Sequence, residues 1–130
     1  LPDDLRVSYR DADGAARALY FDRQYNDTLG LMHEDAQDDA VPLILPGIDA
    51  RVLDVRVLRP VDLAVSKLGR FSSQDREDIV ALARAGKIDA GALRRRADQA
   101  LDAYVGDSGR ARGAIDLACR LVEAARRPAD

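Results

Sequence analysis

The spacing of apolar and polar positions predicts strands in the first part of the chain. Leu5 to Tyr9 alternates with a period of two, and Ala18 to Phe21 follows the turn signal Asp-Ala-Asp-Gly at 11–14. This pattern is typical of a hairpin. Thr28 to Met32 is a further candidate strand, and the acidic stretch 33–39 is expected to form a short helix or a loop.

A second hairpin is predicted before the helical region. Leu43 to Leu45 and Arg51 to Leu58 are separated by a Pro-Gly turn signal. Alternate residues of the second segment are expected to face opposite sides of the sheet. Asp54 in this segment is interpreted as the surface partner of Arg51 or Arg56, in preference to a catalytic carboxylate.

After these strands the pattern changes to helical spacing. Pro60 suits the first position of a helix, which is predicted to run to about Arg70. Ser72 is predicted to cap a second helix, because Asp75 follows it at the spacing of a capping box. Gly86 is expected to end that helix.

Two further helices are predicted. Asp89 caps the first of them, which Gly106 ends, and Ser108 caps the last, which ends before Pro128. The sequence therefore predicts an α+β fold in a single domain over residues 1–130. Short strands and hairpins occupy 1–58, and a four-helix half occupies 59–127.

Composition restricts the class of protein. Of the 130 residues, 47% are hydrophobic and 33% are charged, which is typical of an ordered globular chain. No apolar run approaches the roughly 20 residues of a membrane span, and no signal peptide is visible, so we expect a cytoplasmic protein. The net charge of -3 argues against nucleic acid as a partner of this segment, and Arg94 to Arg96 is interpreted as a solvated helix face.

The chain has one cysteine and one histidine, so neither an internal disulfide nor a Cys/His metal site is predicted. His33 precedes Glu34 and Asp35. This leaves two interpretations, a cation site or an exposed acidic helix start, and we favour the second. Cys119 lies beside apolar residues at helical spacing and is predicted to be buried.

Charged side chains interrupt the apolar stripe of the second predicted helix. At 100° per residue, Asp75 and Asp78 fall on the same stripe as Ile79, whereas Arg76 and Glu77 point away from it. The two aspartates therefore continue the apolar stripe at its N-terminal end, although acidic side chains are costly in a core unless they are paired or used.

Two cations are expected beside these aspartates. Lys67 lies at the edge of the apolar arc of the preceding helix, and Arg70 follows it, so the short connection brings both close to Asp75 and Asp78. One interpretation is a site in which the cations hold phosphate oxygens while an aspartate anchors the lysine or holds a metal. The other is structural, since first-turn acids favour the helix dipole and a Lys–Asp pair ties two helices together.

Two sequence elements carry a family resemblance. Residues 59–71 contain a P-x-D-L-x-x-x-K-L helix, and residues 75–79 continue it with a D-x-x-D element. Together they resemble the C-terminal half of bacterial nucleotidyltransferase-like proteins. This group includes an uncharacterised family of such domains and, more distantly, the nucleotidyltransferase toxins of abortive-infection toxin–antitoxin systems. The resemblance is closest over 55–106 and looser over 22–122.

The resemblance implies roles for the four charged residues. Lys67 would bind nucleotide phosphate, and Asp75 would orient Lys67 or the substrate, so that these two are the candidate catalytic residues. Arg70 and Asp78 would bind substrate beside them. An active member of the family would use Mg²⁺ and a nucleoside triphosphate to transfer a nucleotidyl group to a hydroxyl.

The sequence departs from the family pattern at the metal-binding motif. Such enzymes carry a Gly-Ser turn and then an Asp-x-Asp pair that holds the divalent ions. Here only Asp11-Ala12-Asp13 has these letters, without a preceding Gly-Ser, and it lies in a predicted turn. Since the chain begins at Leu1 and not at methionine, we expect either an upstream catalytic half or a relative without catalysis.

Three hypotheses follow. The first is a nucleotidyltransferase-like domain that is inactive as it stands. The second is a non-enzymatic protein-interaction module, as a homo-oligomer or as one partner of a toxin–antitoxin pair. The third is a small-molecule-binding domain that retains only the phosphate cradle.

Overall fold

Two antiparallel hairpins precede the helices. The computed structural model describes residues 5–21 and 30–127. Strand β1 (Leu5–Arg10) pairs with β2 (Ala16–Phe21) along their whole length, which confirms the first predicted hairpin. Gly14 in the connecting turn has a φ of 81°, a left-handed conformation that glycine adopts without steric cost.

The second hairpin has shorter strands than predicted. A short helix, α1 (Ala36–Asp39), leads into β3 (Val41–Leu43), which pairs with β4 (Val55–Val57). Residues 49–53 form a turn instead of extending the strand, because the carbonyl of Asp49 accepts backbone bonds from residues 52 and 53. Asp54 pairs with Arg56 at the surface at 3.4 Å, as predicted. Of the candidate strand at 28–32, positions 28 and 29 lie outside the described residues, and 30–32 form no strand.

Four helices form the second half, as predicted. They are α2 (Pro60–Leu68), α3 (Ser73–Arg84), α4 (Ala90–Leu101) and α5 (Ser108–Arg126).

Two helix boundaries differ from the prediction. Helix α4 ends at Leu101, before Gly106, because the chain turns at once and Tyr104 donates its N–H to the carbonyl of Leu101. Asp107, not Ser108, caps α5, since its carboxylate accepts the N–H of Arg110 at 3.1 Å. The predicted stop at Pro128 lies outside the described residues.

The apolar core lies among the four long helices. Helix α5 contacts each of the other three, and α2 also packs against α3 and α4. Each long helix contributes large apolar side chains that are almost completely buried, and Leu31, which precedes α1, is buried with them: Val65, Leu68, Ile79, Leu93, Ile115 and Val122. Within the described ranges, no helix has the length and apolar character that crossing a membrane requires.

Candidate functional site

The connection between α2 and α3 reverses the chain within a few residues. Phe71 has a φ of 50° and donates its N–H to the carbonyl of Lys67 at 2.9 Å. This left-handed conformation costs a residue other than glycine about 1–2 kcal/mol. The side chain of Phe71 is buried, and the guanidinium of Arg76 lies 4.6 Å from the centroid of its ring. The burial and this cation–π contact offset the cost of the left-handed backbone. The reversal places the end of α2 beside the first turn of α3.

Asp75 is a buried carboxylate at this junction. Arg70 donates to both of its oxygens, from Nε at 2.9 Å and from Nη2 at 3.0 Å. Ser72 donates to Oδ2 from its backbone N–H and from its hydroxyl, each at 2.9 Å. The N–H of Asp75 donates in return to Oγ of Ser72 at 3.2 Å, which completes the predicted capping box. The Arg70 guanidinium and these further donors hold the pKa of Asp75 well below its ordinary value, because they stabilise the charged form.

Lys67 joins this arrangement from α2. Its Nζ donates to Oδ2 of Asp78 at 2.9 Å and lies 3.9 Å from Oδ1 of Asp75. Gln74 donates to the other oxygen of Asp78 at 2.9 Å, and the bond from Lys67 is the main reason that the pKa of Asp78 is lowered. The four residues expected to meet are thus in one cluster, which we call the charged patch: Lys67, Arg70, Asp75 and Asp78.

The cations of the charged patch face solvent more than its central acid does. The side chain of Arg70 is 76% exposed and that of Lys67 21%, against 3% for Asp75, while Asp78 at the edge of the patch is 35% exposed. Within the described part of the chain, Nη1 of Arg70 has no hydrogen-bond partner, and the ammonium of Lys67 can donate three bonds. The open donors suit an anion.

The acids of the charged patch do not fit a divalent cation. Both oxygens of Asp75 and both of Asp78 already accept bonds, three from cations and three from neutral donors, and Mg²⁺ needs free oxygen ligands. Over residues 5–21 and 30–127, no group of three or more Asp, Glu, His and Cys side chains could hold a metal ion.

The Asp-x-Asp letters at 11–13 belong to the first hairpin turn. Oδ1 of Asp11 accepts the backbone N–H groups of Asp13 and Ala15, at 3.0 and 2.9 Å. Its Oδ2 accepts from Nε of Arg17 at 3.0 Å, and that bond is the first cause of the lowered pKa of Asp11. The carboxylate is occupied in forming the turn, which agrees with the interpretation that it is not a metal ligand.

A second charged cluster was not predicted. Asp62 in the first turn of α2 is fully buried and receives two bonds from Arg96, from Nε at 2.6 Å and from Nη2 at 2.9 Å. Nη2 of Arg96 also donates to Asp39 at 2.8 Å. The bonds that Arg96 donates, first to Asp62 and then to Asp39, raise its pKa.

The interpretation of the arginine run as a solvated face is wrong for Arg96, whose side chain is 19% exposed. Arg96 follows Leu93 by three positions and precedes Ala100 by four, so it lies on the buried stripe of α4, whereas Arg94 and Arg95 point outward. The helical projection that identified Asp75 would have identified Arg96 as well.

His33 is buried, so the expectation of an exposed side chain at an acidic helix start is wrong. Its Nδ1 accepts the backbone N–H of Asp35 at 3.0 Å, which leaves the ring proton on Nε2, 2.7 Å from Oε1 of Gln99. Both ring nitrogens are satisfied, and for this reason the ring tolerates burial. Cys119 is buried as predicted, and burial raises the pKa of its thiol.

Comparison with known proteins gives one family match. A family described as "Nucleotidyltransferase of unknown function (DUF6036)" matches residues 18–123, a range that includes the charged patch and the Asp62–Arg96 pair. In the comparisons with curated proteins and with solved structures, nothing matches.

Proposed function

This chain belongs to the family of nucleotidyltransferases of unknown function, and on that premise we propose that its charged patch binds the phosphate groups of a nucleotide. The observation that carries the proposal is the contrast between accessible cations and occupied acids. Asp75 fixes the guanidinium of Arg70 through two bonds and leaves Nη1 open to solvent, while Asp78 directs the ammonium of Lys67. The planar guanidinium of Arg70 and the compact ammonium of Lys67 together suit the oxygens of a phosphate.

In this proposal the charged patch binds and orients the nucleotide but does not itself catalyse nucleotidyl transfer. Asp75 is a positioning residue, because its carboxylate is held ionised and occupied by Arg70 and has no free oxygen for the proton of an acceptor hydroxyl. Since the acids of the patch do not fit Mg²⁺, its residues would not hold the metal ions that nucleotidyl transfer uses. Nucleotidyl transfer would require an Asp-x-Asp pair from outside these residues.

Calorimetric titration with ATP and with GTP, with and without Mg²⁺, tests this function. Lys67→Ala is expected to weaken binding about tenfold or more, the effect of losing one charge-assisted hydrogen bond. Lys87→Ala is the matched control, because it removes the one other lysine of the chain, which is exposed, and it should bind like the wild type. Binding is expected without Mg²⁺.

Three results would count against the proposal. Equal binding by Lys67→Ala and Lys87→Ala would remove the phosphate role of the patch. Binding that requires Mg²⁺ would contradict the inference that the occupied carboxylates of Asp75 and Asp78 do not hold a metal ion. Unfolding of Lys67→Ala, together with absent nucleotide binding by the wild type, would favour a purely structural lock. Arg70→Gln is a second variant for the binding test, since the Arg70 side chain is largely exposed.

The second hairpin favours an alternative function as a protein-interaction module. Ile44 and Val52 are 89% and 83% exposed, and Val41, Leu43 and Val57 of the paired strands are each about half exposed. Exposed apolar side chains gathered on one hairpin are typical of binding surfaces.

A second copy of the chain is the candidate occupant, because identical hairpins can pair about a two-fold axis. A toxin–antitoxin role would place a cognate protein on the same surface. Sedimentation velocity over a concentration series tests the first case, with dimerisation expected for the wild type and lost on combining Ile44→Ser with Val52→Ser. A chain that stays monomeric throughout would overturn it.

A further inference from the structure

The surface between α2 and α4 contains a cleft whose walls are rich in arginine. Its volume is about 400 Å³, and it is lined by three arginines, from the residue before α2 and from the middle of α4. We propose that this cleft is a second anion site, which binds a phosphate group independently of the charged patch. We call it the arginine cleft and define it by Arg59, Arg95, Arg96 and Gln99.

Two of the guanidinium groups are already oriented by the fold. Nε of Arg59 donates to the backbone carbonyl of Asp39 at 2.7 Å, and Arg96 is held by Asp62 and Asp39. In the described part of the chain, the terminal nitrogens of Arg59 and Nη1 of Arg96 have no protein partner, and neither has any guanidinium nitrogen of Arg95. A ligand would therefore meet donors whose orientation has already been fixed, which reduces the entropy lost on binding.

The local charge is positive, although the chain as a whole is acidic. Asp39 and Asp62 are the two carboxylates among or beneath the lining residues, and both are bound by Arg96. Three guanidinium groups against two carboxylates leave one positive charge, and no carboxylate in the described part of the chain pairs with Arg59 or Arg95. A cleft with such an excess attracts anions.

Gln99 adds a neutral donor at the edge of the arginine cleft. Its Oε1 faces Nε2–H of His33, whose Nδ1 accepts the N–H of Asp35. The carbonyl oxygen is thus used, and the amide NH₂ of Gln99 is left to donate. The buried His33 therefore determines that the NH₂ group of the Gln99 amide is the end available to a ligand.

These features favour phosphate among the common anions. The ligand would accept mainly from guanidinium and amide groups, since the one carboxylate of the lining, Asp39, is bound by Arg96, and this disfavours cations as ligands. A phosphate offers three or more terminal oxygens to several guanidinium groups at once, whereas a carboxylate has two oxygens. Free phosphate and a phosphate monoester have the same recognition chemistry here, and the experiment must separate them.

Titration of the full chain, followed by the NMR signals of the Gln99 side-chain amide and of the arginine Nε–H groups, tests the site. The ligands are inorganic phosphate and ribose 5-phosphate, each at constant ionic strength set with sodium chloride. Saturable shifts are expected at Gln99 and Arg96. The tighter of the two ligands identifies the source of the phosphate group.

Substitutions then locate the site. Arg95→Gln and Arg59→Gln are each expected to weaken binding about tenfold, whereas Arg120→Gln, an exposed arginine of α5, should have no effect. Arg96 is left intact because its loss would leave Asp62 buried without its partner. Lys67→Ala should not change binding, which separates this test from that of the charged patch. Linear, unsaturated shifts, or equal effects of Arg95→Gln and Arg120→Gln, would overturn the proposal.

Discussion

Asp62 is the side chain whose replacement should cost the fold most. Its carboxylate is fully buried, and Arg96 provides both of its charged contacts. Asp62→Ala would leave a largely buried guanidinium with Asp39 as its one remaining acidic partner. Removing one member of a buried ion pair typically costs about 3–5 kcal/mol of unfolding free energy. Urea unfolding is expected to show a loss of this size.

The control for this prediction is a pair at the surface. Arg94 and Asp116 lie 3.0 Å apart with both side chains about half exposed, and such pairs contribute about 0–1 kcal/mol. Asp116→Ala should therefore shift the urea midpoint only slightly. If Asp62→Ala were no more destabilising than Asp116→Ala, the buried pair would not be a major source of stability.

Asp75 should make the protein sensitive to acid. The Arg70 guanidinium holds its pKa below the ordinary 3.8, so near that pH the unfolded chain binds more protons than the folded chain does. The stability that Asp75 contributes is therefore present above this pH and is lost as the pH falls below it. Urea unfolding at a series of pH values between about 5 and 2 should show a steep decline for the wild type.

Two variants test the assignment of this acid sensitivity. Asp75→Asn removes the titrating group, and Arg70→Gln removes the main cause of its lowered pKa. Both are expected to be less stable at neutral pH and to lose less of their remaining stability on acidification. A wild-type pH dependence in Asp75→Asn would assign the acid sensitivity to other carboxylates.

At the scale of elements, two glycines should respond to alanine with opposite signs. Gly86 follows the last turn of α3 with a φ of 73°, where an added Cβ meets no atom but the backbone itself is strained. Gly86→Ala is expected to destabilise by about 1 kcal/mol. Gly113 lies inside α5 with open space around it, and Gly113→Ala should stabilise by about 1 kcal/mol. Thermal unfolding of the two variants compares them, and shifts of the same sign would contradict the assigned conformations.

The parts of the fold that depend on residues close in the chain were predictable from sequence. The start of α3 follows from Ser72 and Asp75, because a capping box depends on residues three apart. The charged patch was predictable for a similar reason, because helical spacing places Asp75 and Asp78 on one stripe and the short connection from α2 brings Lys67 and Arg70 beside them. The strand predicted over 51–58 is shorter in the structure, because the Asp49 side chain accepts the N–H of Arg51 and its carbonyl those of residues 52 and 53, a turn that competes with strand pairing.

The buried pair and the arginine cleft could be predicted only in part. Arg96 meets Asp62 across 34 positions and Asp39 across 57, and no local pattern specifies which helices will face each other. What the sequence does contain is the place of Arg96 on the buried stripe of α4. That position indicates that the arginine needs a partner, but not which acid provides it.

For the molecule as a whole, Cys119 reports whether the helices unfold as one unit. It lies on α5, which contacts α2, α3 and α4, and its thiol is buried, which raises its pKa. Reaction with a disulfide reagent requires an exposed thiolate. Labelling of the folded protein should therefore be at least about a hundredfold slower than labelling of the urea-unfolded chain, because it waits for opening of the core.

Combining this labelling with Asp62→Ala distinguishes cooperative from local unfolding. Asp62 pairs with α4 and lies on α2, whereas Cys119 lies on α5 and donates to the carbonyl of Ala90 at the start of α4. If the four helices open together, a loss of about 3 kcal/mol at Asp62 should speed labelling of Cys119 by about a hundredfold, since each 1.4 kcal/mol is a factor of ten. If urea unfolding shows that Asp62→Ala is destabilised, labelling at the wild-type rate would instead show that α2 separates while the packing of α5 on α3 and α4 persists. In that case the charged patch and the arginine cleft, both of which include residues at the ends of α2, would be lost before the core.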